Sequence, residues 1–196
     1  MKLFKKLAAA ALAAVLALSM VGCGNANSVN PTKQLVLNLI ADIADQNDAE
    51  INNTAAMDGI AQNLLNKAAE LYGSAEQNEK SVDALLKAAS MTEGMGFEEG
   101  KTYLVNYAED YQFKSSLMPN AYKQQFFFMN LLFGGLTVQQ QHGSVTVQQQ
   151  QGPVTVQGVK KADVGVAVGK IGDKTYAVVV TMPIKTAAAP GAPDRD

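Results

Sequence analysis

The sequence holds one cysteine, one histidine and no tryptophan in 196 residues. A lone cysteine excludes an intramolecular disulfide framework and a cysteine-based zinc cluster. A lone histidine, His142, excludes any site that needs two imidazoles from one chain. Positive charge is also scarce: 16 Lys and Arg stand against 18 Asp and Glu, and three of the lysines lie in the first six residues. Removal of a leader ending at Gly22 leaves 13 basic residues against the same 18 acidic ones, a net charge of −5. No basic footprint for nucleic acid remains. A Gly-x-Ser-x-Gly elbow, a phosphate-binding loop and an HExxH helix are missing too. Apolar residues are plentiful: 47% hydrophobic with 17% charged suits one folded domain and excludes a disordered or collagenous polymer.

The start of the chain reads as an address. Lys2, Lys5 and Lys6 precede a run from Leu7 to Val21 that is apolar apart from Ser19, and small residues follow at Gly22, Cys23 and Gly24. This is the layout of an export signal. The run is shorter than the roughly 20 apolar residues that a spanning helix needs, so cleavage after Gly22 is expected. Met20-Val21-Gly22-Cys23 resembles the lipobox of bacterial lipoproteins, with Met20 in place of the usual leucine. The resemblance implies a diacylglycerol thioether on Cys23 and a lipid-anchored protein on the extracytoplasmic side of a bacterial cell membrane. Each buried methylene contributes about 0.8 kcal/mol, so two acyl chains hold where one holds only marginally.

Residues 23–31 are expected to be the lipidated cysteine and a polar tether, residues 32–185 a single α+β domain, and residues 186–196 a disordered tail of Ala, Pro, Gly and charge. Asn30-Pro31 predicts a helix start, with Leu35, Val36, Leu39, Ile40 and Ile43 at helical spacing to Gln46. A second helix is predicted from Asn53 or Thr54, with Gly73 as its left-handed stop, and a third behind a Ser81 cap. Tyr103, Val105 and Tyr107 alternate as a strand does. Pro119 opens a segment to Phe133 that is apolar on nearly every side, which requires burial or a second covered surface. Val164, Val166 and Val168, a Gly172-Asp173 turn, and Tyr176 to Met182 predict a hairpin.

Between the last helix and that hairpin, residues 134–158 carry a nine-residue repeat headed by glycine. Its units are Gly-Gly-Leu-Thr-Val-Gln-Gln-Gln-His, Gly-Ser-Val-Thr-Val-Gln-Gln-Gln-Gln and Gly-Pro-Val-Thr-Val-Gln. Val-Thr-Val favours short strands in a meander, and glutamine ladders offer a self-association surface. A mobile insertion in a surface loop is the plainer expectation. His142 occupies a position that Gln151 fills in the next unit, which argues against a catalytic or metal role.

The order of elements resembles the CAP or SCP-like family of extracellular proteins. Leu35 to Ile43 resembles its opening helix, Tyr103-Leu104-Val105-Asn106-Tyr107-Ala108 its Gly-Glu-Asn-Ile-Ala strand, and Asp163 to Val168 with Tyr176 to Thr181 its terminal hairpin. The resemblance implies an α-β-α sandwich around a small antiparallel sheet, with the Gln-rich repeat as a β insertion. It also implies a cleft near Asn106, flanked by Tyr103 and Tyr107. The family's cleft holds a divalent cation on two histidines and two acidic residues. Here Val105 stands where the strand glutamate belongs, and no histidine lies in the second helix or before Leu131-Leu132. No metal site, cofactor or catalytic residue is therefore expected.

Acid–base chemistry would have to come from Glu98 with Glu99 or Glu109 with Asp110, and neighbours on an element point apart, so these read as solvated loop charges. The expected function is a membrane-anchored, non-catalytic binding or interaction module for an extracellular protein or an apolar ligand. The alternatives are a CAP-type hydrolase or peptidase with an atypical site and an adhesive protein acting through the Gln-rich strands.

Overall fold

A computed structural model describes residues 27–76, 80–115, 117–150 and 160–184. The expected export signal, the expected lipidation site Cys23, the third repeat unit and the expected tail at 186–196 lie outside the described residues. The elements run α1 (Lys33–Gln46), β1 (Glu50–Asn53), α2 (Ala55–Ser74), α3 (Val82–Ser90), β2 (Thr102–Glu109), α4 (Asn120–Phe133), β3 (Gly135–Gln141), β4 (Ser144–Gln149), β5 (Lys161–Ile171) and β6 (Lys174–Pro183). The class is α+β: four helices pack on a six-stranded sheet of order β1-β5-β6-β2-β3-β4. The sheet is larger than expected and mixed, because β1 pairs with β5 in parallel while every other pair is antiparallel.

Side-chain alternation on the central strands builds the layers. Tyr103, Val105 and Tyr107 of β2 join Val178 and Val180 of β6 beneath α2 and α3. Ala108, Val164, Val166, Ala177 and Val179 face the other way, toward Val36 of α1 and Phe127 and Leu131 of α4. On β5 the valines point to α1 and α4, and the small residues between them point to α2. A Cβ on Gly165 would sit 2.0 Å from the backbone of Met57, and one on Gly169 would sit 2.8 Å from the Leu65 side chain. The Val-Gly-Val-Ala-Val-Gly run is thus a strand whose bare face lets a helix approach closely.

Helix starts are capped. The Thr32 hydroxyl accepts from Leu35 N–H at 3.1 Å, Thr54 from Met57 N–H at 3.2 Å and Ser81 from Ala84 N–H at 3.3 Å. The first cap corrects an expectation, since Thr32 rather than Asn30 opens α1, and Asn30 itself adopts a positive φ of 49°. Gly73 does not stop α2, which continues to Ser74 and ends at an extended Ala75.

Two further differences concern connections. Of the polar stretch expected as a free tether, residues 27–30 lie against the domain: Phe113 N–H donates to the Asn27 carbonyl at 2.7 Å, and Val29 N–H donates to Asp110 Oδ1 at 2.8 Å. The repeat is not a surface loop over its first two units. Its first unit is β3, which pairs with β2 and buries Leu136 and Val138, and its second is β4, on the sheet edge.

Candidate functional site

Strand β2 sends its three expected cleft residues to three places. Tyr103 is in the α2–α3 core, its ring 4.9 Å from that of Phe97 and its hydroxyl accepting from Glu98 N–H at 3.0 Å. Asn106 points to the opposite face, where its Nδ2 donates to the Gly134 carbonyl at 3.0 Å. Tyr107 returns to the first face and donates its hydroxyl to Asp83. The alternation that makes β2 a strand separates Asn106 from both tyrosines, so the three do not form one cleft.

Asn106 borders a narrow apolar cavity of about 90 Å3 between α1, α4 and the sheet, walled chiefly by Ile40, Ile43, Leu104, Phe128, Leu131 and Val179. Its amide is committed to Gly134, and the acid in the same lining, Glu50, is paired with Lys161 at 2.9 Å. Gly135 gives it room: a Cβ there would lie 2.8 Å from Asn106 Nδ2 and 2.6 Å from Gln150 Oε1. That Gln150 oxygen is buried without a hydrogen-bond partner among the described residues.

Tyr107 leads to a larger space. Strand β3 ends its pairing at Gly135, opposite Asn106, while β2 runs on to Glu109 alongside β6 alone. Where β3 leaves, an open groove of about 440 Å3 forms between the start of α3 and the face of α4. Tyr107, Tyr111, Phe126, Phe133 and Tyr176 wall it, with Asn130 and Glu109 as polar members. Ligand pockets commonly measure about 300–1,000 Å3 with apolar walls and a few fixed polar groups, and this groove falls in that range.

The groove's titratable groups on β2 and β6 are engaged. Burial first, then the hydrogen bond to Asp83 and its charge, pushes the Tyr107 phenol far above its ordinary value. Burial first, then the charge of Glu109 and a hydrogen bond to it at 3.2 Å, does the same for Tyr176. Both phenols therefore stay protonated across physiological pH and serve as donors, not bases. Glu109 also accepts from Lys174 Nζ at 2.9 Å, and its hydrogen bond raises the lysine's value. Asp110 corrects the reading of these carboxylates as solvated: it is 8% exposed and its two oxygens accept the backbone N–H groups of Val29 and Asn30. Glu99 accepts the backbone N–H of exposed His142, in the β3–β4 turn, and of Gly143. Neither acidic pair converges on a common point.

Among the described residues, no group of three or more His, Cys, Asp and Glu is arranged to hold a metal ion, and no helix is long and apolar enough to cross a membrane. No protein-family model, curated protein or solved structure matches the chain. Of the groove residues, Phe126 and Phe133 belong to the aromatic segment that the sequence assigns to the core, and Tyr111 carried no site expectation. The signal lay in α4, where Tyr122, Phe126, Met129 and Phe133 recur at helical spacing on the side away from Phe127, Phe128 and Leu131.

Proposed function

We propose that this chain is an extracytoplasmic bacterial lipoprotein, anchored to the cell membrane through Cys23, whose domain is a non-catalytic binding module. Its ligand is an apolar or aromatic group, free or carried on an extracellular protein, taken up in the groove beyond the end of β3. The observation that carries the binding role is the groove: aromatic walls of ligand-sized extent, with the Tyr107 phenol tied to Asp83 and the Tyr176 phenol tied to Glu109. The layered order, helices on both faces of a sheet with the Val-Gly-Val strand second from its edge, supports a scaffold of CAP-like type without the cation site.

Mass spectrometry of the native protein is expected to find diacylglycerol on Cys23, and Cys23→Ser is expected to leave the membrane fraction. The purified protein is expected to enhance the fluorescence of anilinonaphthalene sulfonate, with Phe133→Asp abolishing most of that signal at unchanged circular dichroism. A bare thiol in the native protein would overturn the anchor, and a signal unmoved by Phe133→Asp would overturn the groove.

A further inference from the structure

Helix α4 is apolar on both sides, and only one side meets the sheet. Tyr122 is 65% exposed, Phe126 45%, Phe133 44% and Met129 37%, and Leu117, just before the helix, is 90% exposed. Tyr111, 43% exposed, extends this surface, and the buried Phe113 packs beside it: their ring centroids lie 5.4 and 5.6 Å from that of Phe126 and 5.2 Å from each other. Single exposed apolar side chains are ordinary, whereas a contiguous set of this size on one face marks a surface that something covers.

The path of the chain says what covers it. Phe113 N–H holds the carbonyl of Asn27, and Asp110, three residues earlier, holds the backbone of Val29 and Asn30. Cys23 is four residues before Asn27. Four residues span at most about 14 Å fully extended. An acyl chain on that sulfur therefore enters the bilayer beside the aromatic surface and cannot reach the membrane with the domain turned far away. Tyrosine suits that position through its amphipathic ring, and phenylalanine and leucine by burying apolar surface at the headgroup–acyl boundary.

Resting on the lipoprotein reading above, we infer that the outer face of α4, with Leu117 and Tyr111, docks on the bilayer surface that holds the Cys23 lipid. The two contacts act together, and the aromatic groove then opens at the membrane instead of into free solvent. A short tether gives the surface a high local concentration of lipid, so even weak apolar contacts are populated.

The absence of tryptophan supplies the test. The full-length acylated protein is reconstituted in phosphatidylcholine vesicles with a single reporter, Phe126→Trp or Tyr122→Trp, and with Asn66→Trp on the exposed side of α2 as the control. Lipids brominated near the headgroup are expected to quench both α4 reporters by about half or more and to leave the control nearly unchanged. Tyr122→Trp keeps the test alive if Phe126→Trp misfolds. Equal quenching at α4 and at the control overturns docking, as does an α4 reporter shielded from iodide but not quenched by bromolipid, which means that a second copy covers the face. Mass spectrometry of the same samples separates the two ideas: acylated Cys23 without quenching rejects docking alone, and an unmodified thiol rejects docking and anchor together.

Discussion

Helix α2 lies against β5 where Gly165 and Gly169 stand, so closely that a single methyl would overlap its backbone, and Leu64, Leu65 and Ala68 fill the space beneath it. Across the same sheet, α1 and α4 rest on valines, leave a cavity of about 90 Å3 and expose half of an aromatic helix. Where α2 meets β5 the first layer is close-packed, and it opens only at the start of α3, where Val82, Tyr107 and Tyr176 wall one side of the groove. The second combines a core face with an unfilled slot and an outward apolar surface, and residues 27–30 attach on its side. The contrast teaches that close packing at the α2–β5 contact fixes the fold, while the space left over lies along α4 and at its junction with α3.

The sharpest way to break the contrast is Gly165→Ala. Its Cβ would meet Met57 backbone atoms at 2.0 Å, and backbone cannot rotate aside, so α2 must lift. We expect a loss of about 3 kcal/mol or more in urea unfolding, or no folded protein. Next, Leu64→Ala, at a fully buried position in the close-packed layer, should cost about 3–5 kcal/mol. Leu132→Ala, at a partly buried position lining the cavity, should cost only about 1 kcal/mol, because fewer contacts are lost there. Similar losses at the two sites would erase the distinction between the layers.

Asp58 joins the layers. It stands in the first turn of α2, accepts Val166 N–H of β5 and Asn53 Nδ2, both at 2.9 Å, and pairs with Lys33 of α1. Burial opposes its charge, but the hydrogen bonds from Lys33, Val166 and Asn53 outweigh that and hold its carboxyl below the ordinary 3.8. The folded protein then binds fewer protons here than the unfolded chain. This contribution is full above the unfolded value and is lost as pH falls through the folded one. Urea midpoints measured from pH 6 down to 2 should decline less steeply in Asp58→Asn than in the parent chain; identical slopes would remove Asp58 as the link. The smallest effect is a gain. Gly73 lies within α2, exposed, with nothing near its missing Cβ. Gly73→Ala should raise stability by about 0.5–1 kcal/mol through helix propensity, in plain contrast to Gly165→Ala.

Much of the fold was legible before any coordinates. Caps at Thr54 and Ser81, the alternation of β2 and the β5–β6 hairpin are local, and each is written in neighbouring residues. Strand β1 was not legible: Glu-Ile-Asn-Asn has one apolar residue, and its partner lies 111 residues away. Val-Thr-Val in the repeat signalled strands, but whether they joined the sheet or stood apart depended on β2 offering its free edge to Leu136 and Val138. The cleft was misread for a different reason. Placing Asn106 and Tyr107 together came from a family likeness, while the period of two in the same strand already sends them to opposite faces.

By itself, the sequence determined the spacing of the helices and the alternation of the valine strands, because these depend on length and period along the chain. Only the tertiary structure decided which face of β5 needed glycine, where β3 leaves β2 to open the groove, and that residues 27–30 lie beside the exposed face of α4. Those are distances between segments remote in sequence, and they are set by which apolar faces find each other when the chain collapses.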